Sequence, residues 1–162
     1  MKARNGIALG VFAALTAAAS LLGSRSVRRP KTWYRTLRKP KQTPPDWVFG
    51  VVWPVLYGLT AYSGYRMWKR RQMPGAKVAL GLWGAQLAAN AAWSPLFFGQ
   101  HRSRAALADL GANFASLAAY TAQAAKVDRT SAALMAPYLG WLGYASTLNA
   151  GIIARNPRWL AG

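Results

Sequence analysis

Residues 78–99 read VALGLWGAQLAANAAWSPLFFG, a run of 22 residues that contains no charged side chain. Crossing about 30 Å of hydrocarbon at 1.5 Å per residue requires about 20 helical residues. The run is therefore long enough to span a bilayer as one α-helix. Four further apolar stretches of 19 to 24 residues occupy residues 5–23, 47–68, 105–125 and 131–154.

Charged residues lie between these stretches rather than within them. The chain of 162 residues has 21 Lys and Arg against three Asp and Glu, a formal net charge of +18, and its mean hydropathy is only +0.06. Among the basic residues, only Arg66 falls inside an apolar stretch, near its end. A water-soluble helical bundle would carry charged residues every three or four positions along an outer face. The pattern predicts an all-α protein of one domain, built as a bundle of five transmembrane helices.

The basic excess has a second explanation, because clustered Lys and Arg also bind nucleic-acid phosphates. Here the clusters directly flank apolar stretches, where Lys and Arg contact lipid headgroups. Membrane lipid is therefore the expected partner, and nucleic acid is not. The first stretch also has a signal-peptide interpretation, since the small residues at 17–20 would suit cleavage. Its length and the four stretches that follow it favour a helix.

The longest connection, residues 24–46, is basic and rich in proline. It carries eight Lys and Arg, four prolines, and the aromatic residues Trp33 and Tyr34. Prolines at this density prevent a continuous helix, while the two aromatic side chains favour the membrane interface. This first loop is predicted to cap one mouth of the bundle, the alternative being a solvated linker. Asp46 is predicted to cap the second helix at its start.

Polar and aromatic residues within the apolar stretches fall on one side of each predicted helix, at 100° per residue. An amide costs free energy in hydrocarbon unless it is paired, so these amides are expected to point inward. They would either join helices through hydrogen bonds or line an aromatic pocket for a large planar ligand. The side of each predicted helix that carries them contains Trp47, Gly50, Trp53 and Tyr57 in the second stretch, Trp83, Gln86, Asn90 and Trp93 in the third, and Tyr138, Trp141, Ala145, Leu148 and Asn149 in the fifth.

Conventional catalytic and metal-binding motifs are absent from the sequence. There is no cysteine and one histidine, His101, so neither a metal centre nor a resident cofactor is expected. No nucleophile–base pair, paired carboxylates or phosphate loop is found. Asp109 is the only acid inside an apolar stretch, which makes it a functional candidate. An ion pair with Arg102 or Arg104 is the preferred interpretation.

Several motifs follow one another along the chain. Residues 44–50 read PPDWVFG, residues 86–90 read QLAAN, residues 93–99 read WSPLFFG and residues 137–141 read PYLGW. In sequence and order they resemble the TspO/translocator protein family, also known as tryptophan-rich sensory proteins or peripheral-type benzodiazepine receptors. The similarity covers essentially the whole chain.

The resemblance implies a homodimer of five-helix bundles with a pocket beneath the first loop. In the family, this pocket binds porphyrins such as protoporphyrin IX and, in many members, cholesterol or benzodiazepine-type drugs. The expected function is a membrane receptor or sensor with porphyrin as ligand; the alternatives are a light-dependent porphyrin-degrading enzyme and a porphyrin or lipid transporter. The ligand-binding residues expected from the resemblance and the helix sides together are Trp47, Phe49, Trp53, Tyr57, Gln86, Asn90, Trp93, Tyr138, Trp141, Ala145 and Leu148.

The resemblance suggests one enzymatic activity and contains two departures. Trp53 and Trp141 match tryptophans associated with light-dependent porphyrin breakdown in some bacterial members. Gln42 stands in the first loop where many relatives have a tryptophan, which weakens the case for porphyrin binding by that loop and for that photochemistry. No aromatic residue lies near residues 150–151, where the family's sterol motif needs one, so sterol binding is less expected.

Two arginines of the first loop complete the predicted site. Arg35 and Arg38 are expected, from their charge, to meet the propionates of a bound porphyrin.

Overall fold

The computed structural model describes residues 2–27 and 32–157, with side chains over residues 5–25 and 33–157. Within these ranges the chain is helical and has no β-strand, which confirms the all-α prediction. The elements are α1 (Lys2–Val27), α2 (Thr32–Thr36), α3 (Asp46–Lys69), α4 (Ala76–Ser94), a π-helical turn (Pro95–Gly99), α5 (Ser103–Val127), α6 (Arg129–Ala133) and α7 (Ala136–Arg155).

Proline explains two helix boundaries that the apolar pattern does not show. Pro95 lacks an amide hydrogen, and α4 continues as the π-helical turn, in which Gln100 donates to the Pro95 carbonyl over 2.9 Å. Pro137 likewise cannot donate to the carbonyl four residues earlier. The stretch expected as one helix over residues 131–154 is accordingly divided into α6 and α7.

The first loop is shorter than the apolar pattern suggested, because α1 extends to Val27 and α2 occupies part of the loop. Its residues 28–31, with part of the predicted basic and proline-rich segment, lie outside the described ranges. Pro45 occupies the cap position of α3, and Asp46 is the first helical residue. The prediction of Asp46 as the cap is therefore wrong.

The described part of the loop packs against the π-helical turn and the end of α7. The Trp33 ring meets Phe97 edge-on, with ring centroids 5.7 Å apart. The Asn156 side chain accepts a hydrogen bond from the Arg38 amide and donates one to the Arg38 carbonyl, each over 2.9 Å. These contacts hold the loop beside one end of the helices.

Amide side chains lie inside the helix assembly, and large apolar side chains face outward. Gln86 is fully buried, and Asn149 is 2% exposed. By contrast, Ile7 and Val78 are 69% and 60% exposed. Large apolar side chains are normally buried when the solvent is water, whereas in hydrocarbon they face outward and polar side chains face the interior of the protein. The distribution suits a lipid environment.

Among the described helices, one segment, Asn5–Arg25, is long and apolar enough by length and composition to cross a membrane. The other long helices carry many tryptophan, tyrosine, glycine and amide residues, which make them less apolar. An example is α3, with Trp53 and Tyr57 within its span. The described residues therefore form an all-helical fold in which one segment meets both criteria for a membrane span.

Asp128, rather than Asp109, forms ion pairs with arginines. Arg66 Nε lies 2.8 Å and Arg70 Nη1 2.9 Å from the same Asp128 carboxylate oxygen. The expected pair between Asp109 and the arginines before it is not formed, and one Asp109 carboxylate oxygen is buried without a hydrogen-bond partner. No local sequence pattern indicates this role of Asp128, because its partners are about 60 residues away, Arg66 in α3 and Arg70 directly after it.

Gly64 lies at a close contact among α1, α3 and α4. A Cβ atom at this position would come within 2.7 Å of ring atoms of Phe12 and Trp83. These two rings pack edge-to-face with centroids 4.8 Å apart, and the Trp83 indole donates to the Thr60 carbonyl over 2.9 Å. The missing side chain allows α1 and α4 to pack on the same turn of α3.

Gly64→Ala is expected to destabilise the fold by about 1–3 kcal/mol, because Phe12 and Trp83 must move to admit the methyl group. Gly58→Ala is the matched control, since nothing lies within 4 Å of a Cβ there and alanine is the better helix former. Thermal unfolding of both variants in one detergent, followed by far-ultraviolet circular dichroism, measures the difference. Equal Tm values would contradict the assigned packing.

Candidate ligand-binding site

A cavity of about 400 Å³ lies among α1, α3, α4, the π-helical turn, α5 and α7, with one residue from α2. Its size falls within the range of small-molecule pockets, and its wall is mainly apolar and aromatic, as such pockets are. The aromatic residues of the wall are Tyr34, Phe49, Trp53, Tyr57, Trp93, Phe97, Phe98 and Trp141.

Trp53 connects the aromatic side chains of α3 and α7. Its ring stacks on Tyr57 with centroids 5.5 Å apart and meets Trp141 edge-on at 6.4 Å. Trp141 in turn meets Phe49 edge-on at 5.5 Å. Because these rings also pack against each other, they form one continuous aromatic surface on this side of the cavity.

A second aromatic surface comes from the end of α4 and the π-helical turn. Trp93 stacks on Phe97 with ring centroids 5.1 Å apart, and Tyr34 from the first loop meets Phe98 edge-on at 5.4 Å. Phe97 is 2% exposed, so the turn is held in the core rather than at the surface. The π-helical turn thus carries the aromatic side chains that adjoin the first loop.

Hydrogen bonds join four helices at the end of the cavity away from the first loop. The Tyr57 hydroxyl donates to Asn90 Oδ1 over 2.7 Å, and Asn90 Nδ2 donates to the Tyr138 hydroxyl. Asn113 Nδ2 lies 3.4 Å from the same Tyr138 oxygen. Most of the amide groups at this end are therefore used within the protein.

Other polar atoms of the wall residues have no hydrogen-bond partner among the described residues. They are the indole nitrogens of Trp93 and Trp141, both amide atoms of Asn149, and Asn113 Oδ1. Buried polar groups in proteins are normally paired. These buried atoms are exceptions to that rule among the described residues.

Positive charge is absent from the described cavity wall, where Asp46 is the only charged residue. Arg35 and Arg38 are exposed and do not line the cavity. Burial, together with the nearby charge of Asp46, raises the pKa of Tyr34 above its ordinary value. Because Arg35 and Arg38 do not line the cavity, an anionic group on a ligand would meet them only outside it.

Eight of the eleven residues predicted to bind ligand line this one cavity. The remaining three, Trp47, Gln86 and Tyr138, do not line it. The eight are Phe49, Trp53, Tyr57, Asn90, Trp93, Trp141, Ala145 and Leu148.

Three residues lie outside the wall because of their angle around the helix or their depth in the bundle. Trp47 is 69% exposed, because six residues of helix turn it about 120° away from Trp53. Gln86 has the correct helix side but lies about 6 Å along α4 from Asn90, beyond the end of the cavity. Tyr138 is 2% exposed and supports Asn90 from behind through its hydrogen bond.

The wall also contains residues that the sequence analysis did not select. Tyr34 belongs to the first loop, and Phe97 and Phe98 belong to the WSPLFFG motif, whose Pro95 was the available signal of an altered helix. No sequence pattern singled out the contribution of α1. Its wall residues are Ser20, Gly23 and Ser24.

Comparison with known proteins shows the family of this chain. The model of the TspO/MBR family matches residues 11–155. The chain belongs to the TspO/MBR family. This confirms the resemblance found in the motifs and identifies the chain as a member of a membrane-associated family.

Relatives in the TspO/MBR family align over most of their length. The human translocator protein is 40% identical over 146 residues, which cover 87% of this chain and 85% of the relative. The protein CrtK of Rhodobacter capsulatus is 33% identical over 154 residues, covering 93% and 96%. The tryptophan-rich protein TspO of Chlorobaculum tepidum is 31% identical over 156 residues, covering 93% and 97%.

Proposed function

We propose that this TspO/MBR protein is a membrane receptor that binds planar, largely apolar ligands of the porphyrin class in the cavity. The observation that carries the proposal is the aromatic wall, where Trp53 and Trp141 meet at 6.4 Å and Trp93 adds a further surface. Flat aromatic faces bind a macrocycle by stacking and by burying its apolar area. The volume of about 400 Å³ is in the range of ligand sites.

The proposal includes five membrane crossings, made by α1, α3, α4 with the π-helical turn, α5, and α6 with α7. Its support is the length of the long helices, the outward apolar side chains and the location of charges between the helices. The first loop covers one mouth of the bundle through its contacts with Phe97 and Asn156.

A homodimer is also part of the proposal. Gly81, Ala85 and Ala88 form an exposed face of small residues on α4. Such faces let helices of two protomers approach closely in a membrane.

The charge distribution suggests how a porphyrin would be oriented. No cation lines the described cavity wall, whereas Arg35 and Arg38 are exposed in the first loop. The propionates would therefore be placed at the loop, and the apolar edge of the macrocycle would enter between the aromatic surfaces. Asn90 stands at the inner end as a polar contact.

Titration of the detergent-solubilised protein with protoporphyrin IX, followed by porphyrin absorbance, tests the proposal. The double variant Trp53→Phe, Trp141→Phe is expected to bind about tenfold more weakly, because it loses aromatic contact on both helices. Trp68→Phe is the control, since this α3 tryptophan lies outside the cavity beneath Arg71, at 4.1 Å. Equal affinity of the double variant and the control for protoporphyrin IX would contradict the proposed site.

The proximity of Trp53 and Trp141 also supports a second candidate function, light-dependent porphyrin breakdown that involves these two tryptophans. It predicts a new absorbing product under illumination that is absent in the dark and absent from the double variant. Identical absorbance spectra in light and dark would rule out this activity, and the receptor function would be the one that remains.

A further inference from the structure

The turn between α3 and α4 brings positive charge to the end of the bundle opposite the first loop. It packs against the end of α5 and the start of α6, because Gln123 donates to the Gly75 carbonyl over 3.4 Å and Arg70 donates to the Asp128 carboxylate over 2.9 Å. The basic residues gathered at this end include Lys69, Arg70, Arg71, Lys77, Lys126 and Arg129.

Acidic side chains do not balance this charge. The whole sequence has three acidic residues, and two of them lie toward the first-loop end, Asp46 at the start of α3 and Asp109 near the start of α5. The third, Asp128, already accepts hydrogen bonds from Arg66 and Arg70. The other cations of the turn are therefore neutralised by no further acidic side chain of the chain itself, which favours an anionic partner from outside.

Arg71 is oriented by the tryptophan one turn before it. Its guanidinium group lies 4.1 Å from the centroid of the Trp68 ring, and its Nη1 donates to the Trp68 carbonyl over 3.1 Å. A guanidinium group has five N–H donors in a fixed plane and matches the oxygen atoms of a phosphate in a bidentate manner. Because the cation is already held in place, it loses less side-chain entropy when it binds a phosphate.

A groove at this turn combines the cations with apolar surface. The α3–α4 groove, formed by residues 71–75, 77 and 78, has Arg71 and Lys77 as its charged residues. Its apolar residues include Met73 and Val78, which are 45% and 60% exposed. Val78 belongs to the first turns of α4, where the apolar part of that helix begins. The groove therefore suits a molecule that has both an anionic headgroup and an acyl chain.

We propose that the α3–α4 groove binds one anionic phospholipid, with Arg71 and Lys77 at its phosphate and an acyl chain along Val78. Cations beside a membrane span attract anionic lipids, whereas a zwitterionic lipid also carries an ammonium group that these two cations repel. The inference rests on the proposed membrane crossings by α3 and α4. It requires no ligand in the cavity among the helices.

Native mass spectrometry of the detergent-solubilised full chain tests the inference. The protein is titrated separately with dioleoyl-phosphatidylglycerol and with dioleoyl-phosphatidylcholine, which have the same acyl chains and differ in headgroup charge. The wild-type protein is expected to bind the first phosphatidylglycerol about tenfold more tightly than the first phosphatidylcholine, because two cations contact its phosphate.

The double variant Arg71→Gln, Lys77→Gln is expected to bind phosphatidylglycerol about tenfold more weakly than the wild type. Arg104→Gln, Arg155→Gln is the matched control, because it removes the same charge from exposed positions at the opposite end of the bundle. The control is expected to keep the wild-type preference. Lys77→Gln alone, with an expected loss of about threefold, replaces the double variant should the latter not fold.

Three results would overturn the inference and leave the receptor function intact. They are equal affinity of the wild-type protein for the two lipids, an equal loss in the variant and its control, and competition by inorganic phosphate as strong as that by the lipid, which would show an anion site that needs no acyl chain. Protoporphyrin IX titration of the same samples reports on the cavity separately. A protein that stays folded and monodisperse without detergent would overturn the membrane crossings and the inference together.

Discussion

Ala145→Trp is expected to abolish porphyrin binding while the protein remains folded. Ala145 lines the cavity from α7, next to the wall that contains Trp141. An indole side chain there would enter the empty volume of about 400 Å³ and occupy the space of the ligand. The expected loss is about 100-fold or more in affinity, which corresponds to about 2.7 kcal/mol. Titration with protoporphyrin IX measures the loss, and circular dichroism verifies the helix content.

Ala150→Trp is the matched control for this substitution. It introduces the same side chain on the same helix, at an exposed position outside the cavity. Its affinity is expected to equal that of the wild type. Wild-type affinity in Ala145→Trp would show that the porphyrin binds elsewhere.

Asp128→Asn is expected to give the largest loss of stability, about 3 kcal/mol. The Asp128 carboxylate is 5% exposed and accepts hydrogen bonds from Arg66, Arg70 and Ser131. Removal of one partner from a buried ion pair costs about 3–5 kcal/mol, because the remaining charges lose their compensation. The lower end applies here, since Arg66 and Arg70 are 23% and 36% exposed and reach solvent.

Thermal or denaturant unfolding in detergent measures this effect, with Arg129→Gln as the control. Arg129 is the next residue along the chain and is exposed, so its substitution is expected to change the stability by less than about 0.5 kcal/mol. A stability of Asp128→Asn within that margin of the wild type would contradict the role assigned to the ion pairs.

The stabilisation by Asp128 is expected to depend on pH in the acid range. Burial alone would raise the pKa of Asp128, but hydrogen bonds from Arg66 and Ser131 and the positive charges of Arg70 and Arg66 outweigh it and lower the pKa from 3.8 to about 2. A lowered pKa in the folded state stabilises the protein above the unfolded value. The stability difference between wild type and Asp128→Asn should be constant above about pH 4 and disappear as the pH falls to about 2.

The all-helical fold and the approximate positions of the long helices were predictable from the apolar runs and the charged residues between them. The helix boundaries were less predictable, because they depend on where a proline removes a backbone hydrogen-bond donor. Pro137 divides the last apolar stretch, and Pro95 leads into the π-helical turn, although hydropathy continues across both prolines. The ion pairs of Asp128 required knowledge of which distant residues come together.

The cavity wall was predictable where helix angle and depth both agreed. Trp53 and Trp141 lie on the expected sides of α3 and α7 and at matching depths. Trp47 lies outside the wall because a stripe drifts around the helix over six residues, and Gln86 lies outside it because the angle around a helix does not give the depth along it. Tyr34 escaped detection since a loop residue has no periodicity to indicate its direction.

A structure of the protein with protoporphyrin IX bound tests the central claim most directly. The account predicts the macrocycle inside the cavity, with one face against Trp53 and Trp141, Ala145 in contact with the ring, and the propionates directed toward the first loop. A porphyrin bound to the outer surface of the helices, with the cavity unchanged, would contradict it.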